Sequence, residues 1–252
     1  MLAVLRFHLL QVSRSKLLVM WSLFTLLVQY ALVRILHAAT IQYQANSTTG
    51  QMTLDLSAVV MALVYSQFTC GILLATVYGI WIAPYLHEES RAPLTFALPI
   101  DKAVFPSVYG VSFFILYLLQ AVAMFLALTM QFGIKVWIDP LLSWSALGTG
   151  SLISILALEG VVFVLAVFSL VFGKVPAFLG GTALFMVLTV SGLIFRSQWV
   201  TGGIWKFIYT YLPPIGEVFN DIKSPIAETH WWLWVIWILV FAGFFRIRLN
   251  RA

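Results

Sequence analysis

The stretch that decides the fold is Gly148–Phe172, GTGSLISILALEGVVFVLAVFSLVF, in which Glu159 is the one charged residue. An α-helix that crosses the hydrocarbon core of a bilayer needs about 20 mostly apolar residues. The stretch meets this requirement, and we predict that it is a membrane-spanning helix with Glu159 inside it.

The composition of the whole chain leads to the same class of protein. Of its 252 residues, 62% are apolar and 9% are charged, and the mean hydropathy is +1.00. Soluble domains contain roughly a quarter of charged residues, because charged side chains cover their exterior. The composition therefore excludes a soluble enzyme, a nucleic-acid-binding protein and a disordered chain. It predicts an all-α integral membrane protein.

The remaining apolar runs predict five further spans, which gives six in total. They lie at about 17–36, 57–83, 107–130, 177–195 and 229–245, around the span at 148–172. Residues 1–16 are predicted to form an amphipathic helix at the membrane surface, because Leu2, Leu5, Leu9 and Val12 recur at helical spacing. We treat residues 1–252 as a single transmembrane domain.

The positions of the basic residues predict the orientation of the chain. Lys and Arg concentrate in the loops and tails on the cytoplasmic side of a membrane protein. If the chain starts in the cytoplasm, the external segments contain only Lys135, Arg196, Lys206 and Lys223. The cytoplasmic segments then contain Arg6, Arg14, Lys16, Arg91, Lys102, Lys174, Arg246, Arg248 and Arg251. We therefore predict a multi-pass protein of the inner (plasma) membrane with both termini in the cytoplasm.

The segment between the second and third predicted spans is unusual for a connector. It reads HEESRAPLTFALPIDK over residues 87–102, and it mixes charges with apolar side chains between prolines. A connector that only joins two spans is short and polar. Two interpretations remain open from the residues alone: a solvated loop with an interfacial anchor, or a short helix on the membrane face that docks onto a partner.

Three features of the sequence together point to a family. They are the amphipathic start, the acidic pair with Arg91 and Leu98-Pro99-Ile100 in the unusual connector, and the apolar, proline-broken stretch Phe207–Pro225. This layout resembles the permease subunits of type-2 ABC transporters, the type V exporter fold. The resemblance implies six spans, an N-terminal interface helix, a cytoplasmic coupling helix and re-entrant helices in the outer loop between spans five and six.

The resemblance also implies a function and partners. The chain would be the permease subunit of an ATP-driven ABC exporter, which moves a substrate outward or between leaflets. Because the sequence lacks a Gly-x-x-x-x-Gly-Lys-Ser/Thr phosphate loop, ATP and Mg would be bound by a partner ATPase subunit, expected in two copies. A second permease copy, identical or related, would complete the pathway. Membrane lipid is the remaining expected partner, and no nucleic acid is expected.

Particular residues are assigned to these roles. The charged Glu88, Glu89 and Arg91 would pair with charges on the ATPase, and the apolar Leu94, Phe96 and Leu98 would fill a groove on it. By the same resemblance, spans two and five would line the substrate pathway. The candidate lining positions are Tyr65, Phe68, Thr69, Ile72, Phe185, Leu188 and Thr189.

Glu159 supports a different function. An ionisable group inside the membrane is costly and marks a transport pathway or a buried partner, although a structural hydrogen bond to a neighbouring helix is also possible. If Glu159 carries a proton or a cation, the chain would be an ion-coupled secondary transporter. A membrane scaffold that transports nothing is the third hypothesis.

The other polar residues predict no chemistry. The histidines (His8, His37, His87, His230) and Cys70 are scattered along the chain, so we predict no metal, cofactor or catalytic site and no enzymatic activity. Arg34 is expected to extend to the lipid headgroups. We expect Gln29, Gln67, Thr69 and Gln120 to form hydrogen bonds between helices, and Gly71 and Gly79 to permit close helix packing.

Overall fold

The computed structural model describes residues 2–46, 56–82, 104–138, 144–183 and 229–251, and this part of the chain contains helices and no strand. The helices are α1 (Leu2–Arg14), α2 (Lys16–Asn46), α3 (Leu56–Val77), α4 (Val104–Phe132), α5 (Trp144–Phe172), α6 (174–183) and α7 (Trp231–Arg251). A π-helical turn, Tyr78–Ile82, continues α3, and a 3-10 turn, Ile134–Trp137, follows α4. The predicted all-α class is confirmed for these residues.

Four of these helices are long and apolar enough to cross a membrane. The apolar stretches are Lys16–Ile35 in α2, Val64–Trp81 in α3 and its π-turn, Val104–Phe132 in α4 and Leu147–Phe172 in α5. They coincide with the first four predicted spans, and the described residues are those of an all-α membrane protein by length and apolar composition. In α7 a shorter apolar stretch, Trp231–Ile247, lies at the predicted sixth span. The predicted fifth span begins in α6 and continues beyond the described residues.

α2 is longer than the sequence predicted. It continues to Asn46, whereas the apolar run ends near residue 36. The added stretch, HAATIQYQAN, contains no Gly or Pro to end a helix, so the backbone continues although the side chains become polar.

Ser15 separates α1 from α2. Its Oγ accepts a hydrogen bond from the N–H of Leu18 at 3.4 Å, and its carbonyl accepts one from the N–H of Val19 at 3.0 Å. Serine favours this capping position because its side chain satisfies an N–H that has no partner inside the helix. The break allows α1 to turn back and pack against α4 as well as α2.

Glycines bring α3 and its π-turn close to α5. A β-carbon at Gly79 would lie 2.7 Å from the carbonyl oxygen of Val162, and one at Gly71 would lie 2.5 Å from Cδ1 of Leu158. Gly160 makes the same kind of space on the other side of α5, where the fully buried ring of Trp234 from α7 packs. Helices in lipid associate through such close packing, since lipid tails are as apolar as the side chains.

We predict that Gly79→Ala destabilises the protein by roughly 1–3 kcal/mol, because the new methyl group would meet a backbone oxygen that has little freedom to move. Gly243→Ala is the matched control, since a β-carbon at Gly243 would meet nothing within 4 Å. The measurement is thermal unfolding in detergent. Unfolding is detected by the reaction of a fluorogenic maleimide with the thiol of Cys70, which is buried in the folded protein and is the one cysteine of the chain. Equal unfolding temperatures for the two variants would contradict the prediction.

Candidate functional site

A buried polar cluster lies at one end of the helix bundle. We call this the α1 end, because α1 packs there against the π-turn that ends α3 and against the start of α4. Near the end of α7, the ring of Phe245 packs on that of Tyr109, with 5.5 Å between the ring centroids. Four helices therefore meet around Tyr109.

His8 on α1 connects this helix to α3 and α4. Its side chain is only 2% exposed, and its Nε2 lies 2.8 Å from the hydroxyl oxygen of Tyr78. The Tyr78 hydroxyl donates its proton to the carbonyl oxygen of Tyr109 at 3.2 Å. Because that proton is already used, Nε2–H of His8 is the donor to Tyr78. The imidazole also packs edge-on against the Tyr109 ring, with 4.9 Å between the centroids.

The π-turn positions the Tyr78 hydroxyl. A π-turn is wider than an α-helical turn, and such turns occur frequently at functional sites. Here the turn holds Tyr78 with no exposed surface. Gly79, the next residue, has no side chain to keep the turn away from α5. Tyr78 therefore supplies the hydroxyl group that bonds to α1 and α4, and Gly79 lets the same turn pack closely against α5.

Burial keeps His8 neutral. Loss of water around the imidazole lowers the pKa of His8 from 6.5 to about 4. The Nδ1 atom is buried and has no hydrogen-bond partner within the described ranges. A second proton on this ring would place a charge among the aromatic rings of Tyr78 and Tyr109 with no described carboxylate bonded to it. The cluster is built for the neutral imidazole.

Glu159 lies beside the cluster and is the one carboxylate in the described part of the chain. Its Oε2 would lie 3.9 Å from a β-carbon at Gly110, the residue after Tyr109. Tyr109 in turn contacts His8 through its ring and Tyr78 through its carbonyl oxygen. A carboxylate, a hydroxyl and an imidazole, each able to hold or exchange a proton, therefore lie around residues 109 and 110 of α4.

A second set of polar side chains lies inside the bundle between α2 and α4. The amide nitrogen of Gln120 donates to Oγ1 of Thr25 at 2.6 Å, which confirms the predicted bond between helices at Gln120. The amide of Gln29 is also buried, but neither of its polar atoms has a partner among the residues described. Arg34 donates to Oε1 of Gln131 at 3.0 Å on an exposed surface, so it has a protein partner in addition to any headgroup.

The predicted pathway residues on α3 do not share one face. Phe68 and Ile72 point into the core of the subunit, whereas Thr69 is exposed and donates to the carbonyl of Tyr65. The remaining pathway positions, Phe185, Leu188 and Thr189, lie outside the described residues. The same holds for all of the predicted ATPase contacts: Glu88, Glu89, Arg91, Leu94, Phe96 and Leu98.

The side of α1 that faces the bundle is centred on His8, which the sequence analysis did not single out. Val12 of the predicted stripe is also buried, Leu5 and Leu9 are partly buried, and Phe7 and Leu10 are exposed. The reason is that His8 gains a hydrogen bond and a ring contact only when it faces the bundle. The row of Val4, His8 and Val12, four residues apart, is the signal that would have identified this face.

We predict that the His8–Tyr78 hydrogen bond stabilises the protein by about 1 kcal/mol, the usual net value of such a bond. A double-mutant cycle of His8→Phe and Tyr78→Phe, measured by reversible unfolding in detergent micelles, gives this coupling energy. The control is a cycle of Arg34→Ala and Gln131→Ala, whose bond is exposed and should couple more weakly. Additive effects of His8→Phe and Tyr78→Phe would show that the bond contributes nothing.

We also predict that acid releases α1. When α1 is released, the His8 imidazole binds a proton at its ordinary pKa of 6.5, whereas in docked α1 it does so only near pH 4. The free energy of docking therefore becomes less favourable as the pH falls from 6.5 to 4, by about 3 kcal/mol in total. Amide hydrogen exchange of α1, corrected for the intrinsic rate at each pH, is the measurement. His8→Phe should remove this dependence. Glu159→Gln should keep it; its loss in that variant would assign the effect to the carboxylate.

No protein-family model matches this chain, and neither a curated protein nor a solved structure is significantly similar to it. The resemblance to ABC permeases therefore rests on the layout of the sequence, and the role of the buried cluster rests on its own geometry.

Proposed function

We propose that this chain is the permease subunit of an ATP-driven ABC exporter, which moves a substrate outward or between leaflets while a separate ATPase subunit hydrolyses ATP. In this proposal the chain has six spans and both termini in the cytoplasm. Residues 88–100 form the coupling helix, residues 207–225 form re-entrant helices on the outer side, and a second permease completes the pathway.

The observation that supports this proposal best is the hydrogen-bonded link at the α1 end. Tyr78 lies just before segment 83–103 in the sequence, and Tyr109 lies just after it. His8 bonds to the Tyr78 hydroxyl, which bonds in turn to the Tyr109 carbonyl. The segment that would receive force from the ATPase therefore leaves and rejoins the bundle at one end, where the N-terminal helix also packs. An interface helix beside a coupling segment is the arrangement that the proposal requires.

Packing inside the bundle supports the transmission of force. The helix that precedes segment 83–103 is in close contact with α5 through Gly71 and Gly79, and α5 is in close contact with α7 through Gly160. Closely packed helices move together rather than deform, because their interfaces have few voids. A displacement of the coupling segment would therefore move α3, α5 and α7 as a group.

Glu159 favours a second candidate, an ion-coupled secondary transporter. The carboxylate is the one acidic group of the described helices, and it lies opposite Gly110, the residue after Tyr109 of the polar cluster. Carboxylates inside membrane helices are typical of proton and ion pathways. In this candidate Glu159 would be the group that takes up and releases the coupling ion.

We predict that the tagged full chain, purified from its native membrane, retains an ABC ATPase subunit in equal amount. The double variant Glu88→Lys and Glu89→Lys should lower the retained ATPase at least about tenfold, because reversed charges would repel their partners on the ATPase. The matched control reverses Glu217 and Asp221 in the predicted outer loop and should retain it fully. If no ATPase is retained, or if both double variants retain it alike, the coupling assignment is wrong.

The same preparation separates the two candidates. The chain is reconstituted without ATP in liposomes with an imposed pH gradient, and so is its Glu159→Gln variant. If ATP is the energy source, the pH gradient should decay at the same rate in both preparations. A faster, Glu159-dependent decay would favour the ion-coupled transporter and contradict the ABC proposal.

A further inference from the structure

The outward face of α1 is exposed and lies on the opposite side of the helix from the polar cluster. We propose that this face, formed by Arg6, Phe7, Leu10 and Arg14 together with Lys16 at the start of α2, binds the headgroups of anionic phospholipids in the leaflet at the α1 end. This inference does not depend on the proposed transport function.

The rotation of α1 determines which residues form this face. His8 and Val12 are 2% and 3% exposed and lie against the bundle, so the opposite side of the helix points away from the protein. Arg6, Leu10 and Arg14 are spaced four residues apart and therefore form one row along the helix. All three are exposed, and the row runs directly opposite His8.

The row combines apolar and basic side chains as a lipid surface requires. Phe7 and Leu10 are 46% and 48% exposed and lie side by side between the two arginines. Helices that lie in the membrane interface place aromatic and aliphatic residues into the acyl boundary and basic residues at the phosphates. A water-exposed helix would have no reason to expose Phe7 and Leu10 together. A soluble acidic partner would bind the two arginines but would give no reason for the exposure of Phe7 and Leu10.

Within the part of the chain that the structure describes, no acidic residue accompanies these basic residues on α1 or α2. The first acidic residue of the sequence is Asp55, so α1 and α2 contain basic residues and no carboxylate. Arg246 of α7 is also exposed and adds a further positive charge toward the α1 end. The one described carboxylate, Glu159, lies on α5 beside the polar cluster. Basic residues beside the membrane attract anionic lipids over about a Debye length.

The position of α1 relative to α2 places this face at headgroup depth. The apolar stretch of α2 starts at Lys16, immediately after the Ser15 break. α1 therefore lies where the first membrane-crossing helix begins. Its outward row faces the headgroup layer at that level, and the two arginines span about 12 Å of helix length, enough to contact two neighbouring headgroups.

The test measures which lipid is enriched around α1. Ser13 is exposed on α1, so Ser13→Cys in a Cys70→Ala background carries a bimane label in the full chain. The protein is reconstituted in vesicles of 70% phosphatidylcholine and 30% phosphatidylglycerol. Two samples are compared, one with brominated acyl chains on phosphatidylglycerol and one with brominated acyl chains on phosphatidylcholine. The brominated lipid has the same mole fraction in both samples. We expect brominated phosphatidylglycerol to quench the label about threefold more than brominated phosphatidylcholine, and 1 M NaCl to reduce this preference.

Variants assign the preference to the row. Arg6→Gln with Arg14→Gln should abolish it, and Arg6→Lys with Arg14→Lys should retain most of it. Arg34→Gln removes the same kind of charge from α2 at the other end of the bundle and should change nothing. Circular dichroism confirms that each variant is folded. Equal quenching by the two lipids, or a preference that survives the Gln variants, would overturn the proposal. Absence of quenching by either lipid would also overturn it, because the outward face of α1 would then lie away from the membrane.

Discussion

The hydrogen bond between His8 and Tyr78 is the interaction on which the arrangement of the α1 end depends. Burial of an imidazole beside aromatic rings is unfavourable unless its polar atoms are satisfied, and here the bond satisfies Nε2 while Nδ1 remains without a described partner. The bond fixes three things at once. It sets the rotation of α1, it holds His8 in the buried position where loss of water keeps the imidazole neutral, and it joins the helix to both sides of segment 83–103.

The bundle is organised around α3, and this affects where a pathway could run. Within its apolar stretch, 67% of the residues are buried, against 22% for α2. Thr69 and Leu73 are the exposed residues of α3 in the part whose burial is described, and they lie four positions apart on one row. If a pathway runs between two permeases, Thr69 and Leu73 face away from the subunit core, whereas Phe68 and Ile72 are part of it. The resemblance to a family could not predict which residues of α3 are exposed, because it assigns a role to the helix but does not give the rotation of the helix about its axis.

The sequence predicted well what depends on local properties. The four long apolar helices follow from length and hydropathy, and Gly79 was identified as a site of close packing because a small residue in a span has few other uses. Glu159 was identified because a charge inside an apolar run is rare. The polar cluster was missed because it depends on partners distant in sequence: His8 bonds to a residue 70 positions away. Tyr78 and Tyr109 lie in apolar runs, where tyrosine is indistinguishable from a core aromatic until its hydroxyl partner is known.

The strengths of the contacts of α1 determine how this helix can behave. A single buried hydrogen bond contributes about 1 kcal/mol, which changes a two-state population roughly fivefold. In the proposed exporter, the attachment of α1 to the flanks of segment 83–103 would therefore be weak enough for force on that segment to overcome.

The proposed lipid contact of the outward row would add a second attachment of α1, to a lipid surface that does not move with the bundle. When the flanks move, α1 must either break the His8–Tyr78 bond or move its arginines relative to the headgroups. The bond is the weaker restraint if both arginines bind anionic lipid, since each basic residue near the surface contributes about 1 kcal/mol. In that case the inward face of α1 releases first, and His8 is exposed to water while the helix remains at the membrane.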